Sequence, residues 1–216
     1  MNRINYQAET ERVIARLTAE GRREKLLLHA CCAPCSSYVL EYLTACFDIT
    51  VFYCNPNIAD KEEYAHRLAE LYKLCDRATF CRNVQIVDDG YAPDMFFKVA
   101  EGFEGEPEGG RRCDRCFALR LSRTADYAKA HGFPLFATTL TVSPHKNAAL
   151  INKIGSAESE RSGVAYLPSD FKKKGGYQRS IVLSREYGLY RQQFCGCDFS
   201  RGYSVRNLLS GMKAFI

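Results

Sequence analysis

Long apolar runs are absent from this 216-residue chain. No stretch approaches the roughly 20 apolar residues that a membrane-spanning helix needs, so we expect no membrane span. The opening segment "MNRINYQAETERVIARLTAEGRREK" is polar, carries apolar residues at helical spacing and does not resemble a secretory signal. Repeats, low-complexity tracts and long linkers are also missing. The sequence therefore predicts a single-domain cytoplasmic protein, in a compartment where structural disulfides are rare.

The signatures of nucleotide and acyl-transfer chemistry are missing as well. There is no P-loop, and no G-x-G-x-x-G follows a predicted strand. "TVSPHKN" contains a serine and a histidine, but no G-x-S-x-G motif surrounds them. After the first predicted strand the chain reads "HACCAPCS", where an ATP pyrophosphatase of this general fold would have "SGGxDS". We therefore expect no requirement for ATP.

Cysteine is abundant, with eleven residues. An odd number of cysteines in a reducing compartment indicates metal binding or catalysis more than disulfide cross-links. Seven of them form three tight groups: Cys31, Cys32 and Cys35 in "HACCAPC", Cys113 and Cys116 in "RRCDRC", and Cys195 and Cys197 in "FCGCDFS". The other four stand alone and are expected to be small apolar core residues: Cys46, Cys54, Cys75 and Cys81.

Predicted strands alternate with predicted helices along the chain. The strands are Lys25–Ala30, Asp48–Tyr53, Val84–Val87, Leu135–Leu140 and Val164–Leu167. The helices are Ser36–Cys46, Asp60–Ala78, Pro93–Phe103, Cys113–His131, Pro144–Gly163 and Gly175–Tyr190. This alternation predicts an α/β fold with a doubly wound, mostly parallel, Rossmann-like sheet. Ligands of such sheets bind beyond the carboxyl ends of the strands, so we expect a metal site there, beside the first cysteine group.

The predicted single domain, residues 1–216, has three parts. An N-terminal helix covers residues 1–24, the α/β core covers 25–170, and a basic helical segment with the C-x-C motif covers 171–216. From Asp170 onward the chain has nine Lys or Arg residues against three acidic ones, whereas the whole chain has a net charge of +5. A basic end can bind a polyanion, although a solvated charged face is the commoner case. Lys172, Lys173 and Lys174 are the candidate contacts to RNA phosphates.

The C-x-x-C of the second group has three common interpretations: half of a zinc site, a redox pair, or two ligands of an iron–sulfur cluster. Cys32 and Cys35 offer a second C-x-x-C, so a four-cysteine zinc site remains open. Adjacent Cys31 and Cys32 favour a cubane, because its separate irons accept neighbouring thiolates with less strain than one tetrahedral ion does. Nearby arginines and a helix N-terminus should stabilise the negative charge of that site: Arg111, Arg112 and Arg115.

The C-x-C group indicates separate chemistry. A disulfide across Gly196 would close a small, constrained ring and should be reduced easily, which suits a redox pair that cycles. Two ligands for another metal, or two unpaired thiols, are the alternatives.

Taken together, "HACCAPC", "RRCDRC", "TTLTVSPHKN" and "FCGCDFS", in this order, resemble the QueH-type epoxyqueuosine reductase family. The resemblance extends from Leu26 to Arg206. It implies a fold similar to PP-loop and HUP-type folds. It also implies reduction of epoxyqueuosine to queuosine at the tRNA wobble position, the last step of queuosine synthesis, without cobalamin.

The resemblance also implies the cofactors and the site residues. A 4Fe-4S cluster would be held by Cys31, Cys32, Cys113 and Cys116, and Cys195 and Cys197 would be the redox-active pair. An additional iron or zinc ion would lie beside the cluster, with Cys35 among the sulfurs near it. The partners would be the tRNA and an electron donor that the sequence does not identify.

The proton donor and two rival functions stay open at this level. Reduction of an epoxide to an alkene needs protons, and His145 and His29 are the candidate donors. The first rival is a zinc-stabilised RNA-binding module without catalysis. The second is a thiol–disulfide oxidoreductase, which would not explain why Cys31 stands beside Cys32.

Overall fold

A computed structural model describes residues 4–200, and its centre is a five-stranded, wholly parallel sheet with the order β3-β2-β1-β4-β5. The strands are β1 (Glu24–His29), β2 (Phe47–Tyr53), β3 (Gln85–Asp88), β4 (Leu135–Thr138) and β5 (Ala165–Tyr166). The helices are α1 (Tyr6–Ala19), α2 (Ala33–Leu43), α3 (Lys61–Arg77), α4 (Pro93–Ala100), α5 (Arg111–Ala130), α6 (Ala148–Ser162) and α7 (Gly176–Glu186). Arg201, Arg206 and Lys213 of the predicted basic segment lie outside the described residues.

The structure confirms the predicted α/β fold with a parallel sheet. Helices cover both of its faces, and the inner strands are accordingly apolar on both sides. In β1, Leu26 and Leu28 pack into the core beneath α2 and α3, whereas Leu27 points to the opposite face and packs with Phe52 and Ala125. No helix within residues 4–200 is long and apolar enough to cross a membrane.

Two predicted boundaries were wrong near the site. The strand predicted over Leu135–Leu140 ends at Thr138, because the Thr138 hydroxyl accepts a hydrogen bond from the Leu140 amide and starts a 3₁₀ turn. The helix predicted from Pro144 begins at Ala148, after Asn147 caps its first turn through its side-chain oxygen. Residues Ser143–Asn147 therefore form a loop over the end of the sheet.

The strand order reverses direction between β1 and β4. From β1 the chain winds outward through β2 to β3, and α5 then carries it back to β4 on the other side of β1. Ligands of open parallel sheets bind at such a reversal, beyond the carboxyl ends of the strands. Cys31 and Cys32 follow β1 directly, so the first cysteine group lies at this point.

The isolated cysteines belong to the packed interior, as predicted. Cys54 and Cys81 are buried, and Cys46 and Cys75 are half-buried and pack against the main core.

Candidate metal and redox site

Two adjoining cavities bring the three cysteine groups to one edge of the sheet. The first, of about 180 Å³, is lined by Cys113, Cys116, Cys195 and Cys197. The second, of about 560 Å³, is lined by Cys32, Cys35 and Cys195. Both are also bounded by Glu108, His145 and Lys146, so the two cavities meet at Cys195.

The first cysteine group occupies the turn from β1 into α2. Cys32 precedes the first residue of that helix, and Pro34 in the first turn starts it, since proline needs no hydrogen-bond acceptor there. The sulfurs of Cys31, Cys32 and Cys35 all lie within 4.8 Å of one another, and those of Cys31 and Cys32 are 3.8 Å apart. The spacing of the three sulfurs fits one shared metal centre.

In this group the pKa of one thiol is lowered, and the pKa values of the other two are raised. Hydrogen bonds from Cys32 and Cys35 hold the pKa of Cys31 well below its ordinary value, and the charges of Lys146 and Arg120 act in the same direction. The same interactions, seen from the partner thiols, raise the pKa of Cys32 to about 11 and that of Cys35 well above its ordinary value. A metal bound by all three thiolates would therefore have to release protons.

The second group lies at the start of α5. Cys113 is in the first turn, and its sulfur accepts a hydrogen bond of 3.2 Å from the Gly109 amide. Burial raises the pKa of Cys113, and it raises that of the more deeply buried Cys116 to about 11. These thiols stay protonated near neutral pH unless a metal binds them.

The arginines predicted to stabilise this group are placed differently: burial raises the pKa of Cys113, and the charge of Arg112 acts against that effect. Arg111 and Arg115 are exposed, and the Arg115 guanidinium stacks on the Phe103 ring with its central carbon 4.9 Å from the ring centroid. Arg112 borders the first cavity, but its Nη1 donates to the carbonyls of Phe103, Glu104 and Glu106, at 3.2, 2.8 and 2.5 Å. It holds the preceding loop in place.

The third group is held against the turn before α3 and against α3 itself. The sulfurs of Cys195 and Cys197 are 3.4 Å apart, and both residues are free thiols. Gly196 between them has φ +107°, and an added Cβ would lie 2.9 Å from Ile58 Cγ1, so this position requires glycine. Hydrogen bonding with Cys197 lowers the pKa of Cys195 well below its ordinary value.

A buried arginine that the sequence analysis missed fixes this segment. Arg67 is 2% exposed and donates to the carbonyls of Cys195 and Phe194, at 3.0 and 3.3 Å. Its own charge is balanced by Glu63, at 2.6 Å. Asn57 adds a hydrogen bond of 3.2 Å to the Cys195 carbonyl.

The candidate histidines are placed very differently. His29 is fully buried, with Nδ1 2.8 Å from the Thr138 hydroxyl and Nε2 3.1 Å from the Cys54 carbonyl. Burial lowers its pKa to about 3, so the ring stays neutral. His145 is exposed and borders both cavities, beside Lys146.

Lys146 is a second residue that the sequence analysis missed. It borders both cavities from the loop Ser143–Asn147, and it forms no ion pair with a carboxylate of residues 4–200. Burial favours its neutral form, but the charges of Cys31, Cys35 and Cys195 outweigh burial and raise its pKa above the ordinary value. Its ammonium therefore stays protonated among the sulfurs.

The donor atoms suit a thiolate-bound metal. Cys31, Cys32 and Cys35 are the only three potential ligand side chains within residues 4–200 that approach one another this closely, and all three supply sulfur. Soft thiolate donors select zinc, copper(I) or iron–sulfur centres over magnesium or calcium.

Fold and site together define an α/β protein with a cluster of three thiols that could hold a metal at the strand reversal and a close dithiol beside it. Residues 26–202 match the family described as "Epoxyqueuosine reductase QueH". The chain belongs to this family of oxidoreductases, which confirms the resemblance seen in its motifs.

Curated relatives bearing the same description align with nearly the whole chain. The protein of Staphylococcus epidermidis is 40% identical over 221 aligned residues, which cover 99% of this chain and 93% of the relative. The protein of Streptococcus pyogenes is 41% identical, covering 99% of this chain and 86% of the relative. The protein of Thermotoga maritima is 36% identical, covering 81% of this chain and 89% of the relative.

Proposed function

We propose that this protein reduces epoxyqueuosine to queuosine at the wobble position of tRNA, the last step of queuosine biosynthesis. The observation that carries the proposal is the meeting of all three cysteine groups at one edge of the sheet, in a chain that matches this family over residues 26–202. Removal of the epoxide oxygen consumes two electrons and two protons, leaves an alkene and releases water.

Cys31, Cys32, Cys113 and Cys116 would hold a 4Fe-4S cluster. Such a cluster would supply electrons one at a time, from an external low-potential donor. The 3.8 Å between the sulfurs of Cys31 and Cys32 supports binding of this adjacent pair to one centre. Cys35 then remains for an additional iron or zinc ion, beside Cys195, which borders the same cavity.

Cys195 and Cys197 are the proposed redox-active pair. Closing the dithiol to a disulfide releases two electrons and two protons, which is all that reduction of the epoxide consumes, and two one-electron transfers from the cluster would then reduce the disulfide again. The short distance between the sulfurs and the lowered pKa of Cys195 support this role, because the thiolate is the reactive form.

Lys146 is better placed than His145 to supply a proton. Its ammonium stays charged among Cys31, Cys35 and Cys195, at the junction of the two cavities. There it can donate a hydrogen bond, and then a proton from Nζ, to an oxygen that gains negative charge. His145 on the exposed side of the loop is the alternative donor.

The reaction itself is the first test. Epoxyqueuosine-containing tRNA, incubated anaerobically with metal-loaded protein and a low-potential donor, should yield queuosine-containing tRNA. Mass spectrometry of the digested tRNA should show the modified nucleoside losing one oxygen, without added ATP or cobalamin. An intact, reducible centre that leaves the nucleoside mass unchanged would exclude epoxyqueuosine as the substrate.

Three consecutive lysines beside the site are the proposed contacts to the tRNA backbone. Lys172 pairs with Asp170, at 2.7 Å, and Lys174 pairs with Glu11, at 2.5 Å, whereas Lys173 is exposed. All three line a cavity that Lys146 also borders, which places them close to the cysteine site. RNA phosphates would have to compete with Asp170 and Glu11 for two of the three charges.

Replacing Lys172, Lys173 and Lys174 by Ala should weaken tRNA binding and flatten its salt dependence by about 1 in log–log slope per lost phosphate contact. Filter binding between low and moderate salt measures both quantities. Of the single variants, Lys173→Ala should have the largest effect, because its ammonium is not paired with an acid among residues 4–200. Exposed Lys129, at the end of α5, is the matched control. Equal affinity and slope for the triple variant and the control would place the RNA site elsewhere.

A further inference from the structure

A buried cation that lies behind the cysteine groups has no carboxylate partner within residues 4–200. This cation is Arg120, which is 3% exposed. Its Nη2 donates to Asn55 Oδ1 at 2.5 Å, and its Nε lies 3.1 Å from His29 Nε2 and 3.3 Å from the Cys54 carbonyl. These partners are neutral acceptors. They accept hydrogen bonds from the guanidinium but do not balance its charge. An unbalanced charge inside a protein costs free energy.

The opposite charge that Arg120 faces comes from the cysteines. Arg120 follows Cys116 by one turn of α5 and Cys113 by two, so the three residues share one helix face. It lines the first cavity together with Cys113, Cys116 and Cys195. The guanidinium therefore faces cysteines that carry negative charge once a metal binds them as thiolates.

The contacts of Arg120 also join the segments that carry the cysteines. Asn55, which accepts from Arg120, donates through Nδ2 to the Ala30 carbonyl at 2.9 Å, immediately before Cys31. His29, the last residue of β1, bonds Thr138 at the end of β4. The guanidinium thus lies on one side against Cys116 and on the other against residues that hold the loop bearing Cys31.

We propose that Arg120 is a positioning residue whose permanent positive charge stabilises the ionised cysteines. It thereby raises their affinity for metal, and it raises the reduction potential of the centre that they hold. The reduced centre carries one more negative charge than the oxidised centre, so a fixed cation nearby favours the reduced form. The effect on affinity applies to any thiolate-bound metal, whereas the effect on the reduction potential rests on the iron–sulfur centre of the proposed function.

The test compares Arg120→Met, which removes the charge, with Arg120→Lys, which keeps it. Arg123→Met is the matched control, because Arg123 lies on the same helix and is already paired with Asp89 through two contacts of 2.6 Å. Metal-free protein is titrated with Co²⁺, and the thiolate-to-metal charge-transfer absorption is followed. Arg120→Met should weaken Co²⁺ binding at least tenfold, Arg120→Lys should restore most of the affinity, and Arg123→Met should bind as the unaltered protein does.

The second readout is an anaerobic redox titration of the iron-loaded proteins. At a fixed donor potential, the ratio of reduced to oxidised centre should fall about tenfold in Arg120→Met, which corresponds to a potential about 59 mV lower for a one-electron couple. Arg120→Lys and Arg123→Met should remain near the unaltered protein. A merely structural role for Arg120 would leave the potential of the folded variant unchanged.

A second variant carries the test if Arg120→Met fails to fold. Asn55→Asp places a carboxylate where Oδ1 now accepts from Arg120, so the charge is neutralised while the arginine stays; Asn55→Leu, which also loses the Nδ2 bond to the Ala30 carbonyl but adds no charge, is its control. Asn55→Asp should weaken Co²⁺ binding and lower the potential in the same direction. Unchanged affinity and potential in the folded charge-altered variant would overturn the inference. Failure of the unaltered protein to take up iron would refute the proposed cluster, while the Co²⁺ titration would still decide the role of Arg120.

Discussion

Protein with Cys113→Ala, prepared anaerobically, should lose the brown colour and nearly all of the iron that the unaltered protein holds. The unaltered chain should bind about four iron and four sulfide, as a cubane requires. Cys113 is a proposed corner ligand in the first turn of α5, and loss of one thiolate leaves an iron corner without a protein ligand. Iron and sulfide analysis, together with the visible absorption spectrum, measures the effect.

Cys46→Ala is the matched control for this change. Cys46 is also half-buried, but it lies just after α2, packs against the main core and contacts the Thr18 hydroxyl at 3.7 Å. It should keep full iron content. A colourless unaltered protein that holds one zinc ion would contradict the cluster and support a zinc-stabilised RNA-binding module instead.

The same measurement decides the role of Cys35. Its sulfur lies within 4.8 Å of those of Cys31 and Cys32, which makes it a geometric candidate for the same centre. We expect Cys35→Ala to keep the four irons of the cluster and to lose only the additional metal. Complete bleaching would instead place Cys35 among the cluster ligands.

The variants Cys195→Ser and Cys197→Ser should retain the cluster colour and lose turnover down to the background of the tRNA assay. A serine hydroxyl is nearly isosteric with the thiol but can neither close a disulfide nor bind a soft metal comparably, so either proposed role is lost. The backbone anchors that position Cys195, from Arg67 and Asn57, are made to its carbonyl and should persist. Anaerobic assays by mass spectrometry and iron analysis of the same samples separate the two properties.

Ser200→Ala provides the control within the same segment. The Ser200 hydroxyl lies 3.2 Å from the Cys195 sulfur, so its loss perturbs the surroundings of the pair while leaving both thiols in place. This variant should retain measurable turnover. Normal rates in both cysteine variants would show that the pair takes no part in the reaction.

Much of the fold could be predicted from local sequence. The apolar run that forms β1, the charge pattern of α3 and the Gly132 that ends α5 each identify an element without knowledge of its neighbours. The end of β4 could not be found in this way. Thr138, Thr139 and Leu140 favour a strand by composition, and the strand ends because the Thr138 side chain bonds the backbone two residues later.

The cysteine groups of the site were visible in the sequence, but the cations around them were not. Arg120 stands in the middle of a helix of alternating charges, and its partner His29 is 91 residues away. Arg67 likewise donates to the Cys195 carbonyl, which is 128 residues away in the sequence, and its local sequence is typical of an exposed helix position. The one local indication of the role of Arg120 was its spacing in the sequence, which puts it on the same helix face as Cys113 and Cys116. The flanking arginines are evident in the sequence because they are adjacent to the cysteines, and in the fold Arg112 donates to loop carbonyls.

The order in which the three cysteine groups occur along the chain has a consequence for how the protein matures. Chains are synthesised from the N-terminus, so all five strands have been made once Tyr166 is added, while Phe194, Cys195 and Cys197 are still to come. The segment that Arg67 holds beside the first two groups is therefore the last part of the site to be made. A chain that ended before Phe194 would lack the dithiol of Cys195 and Cys197, and buried Arg67 would lose the two carbonyls to which it donates.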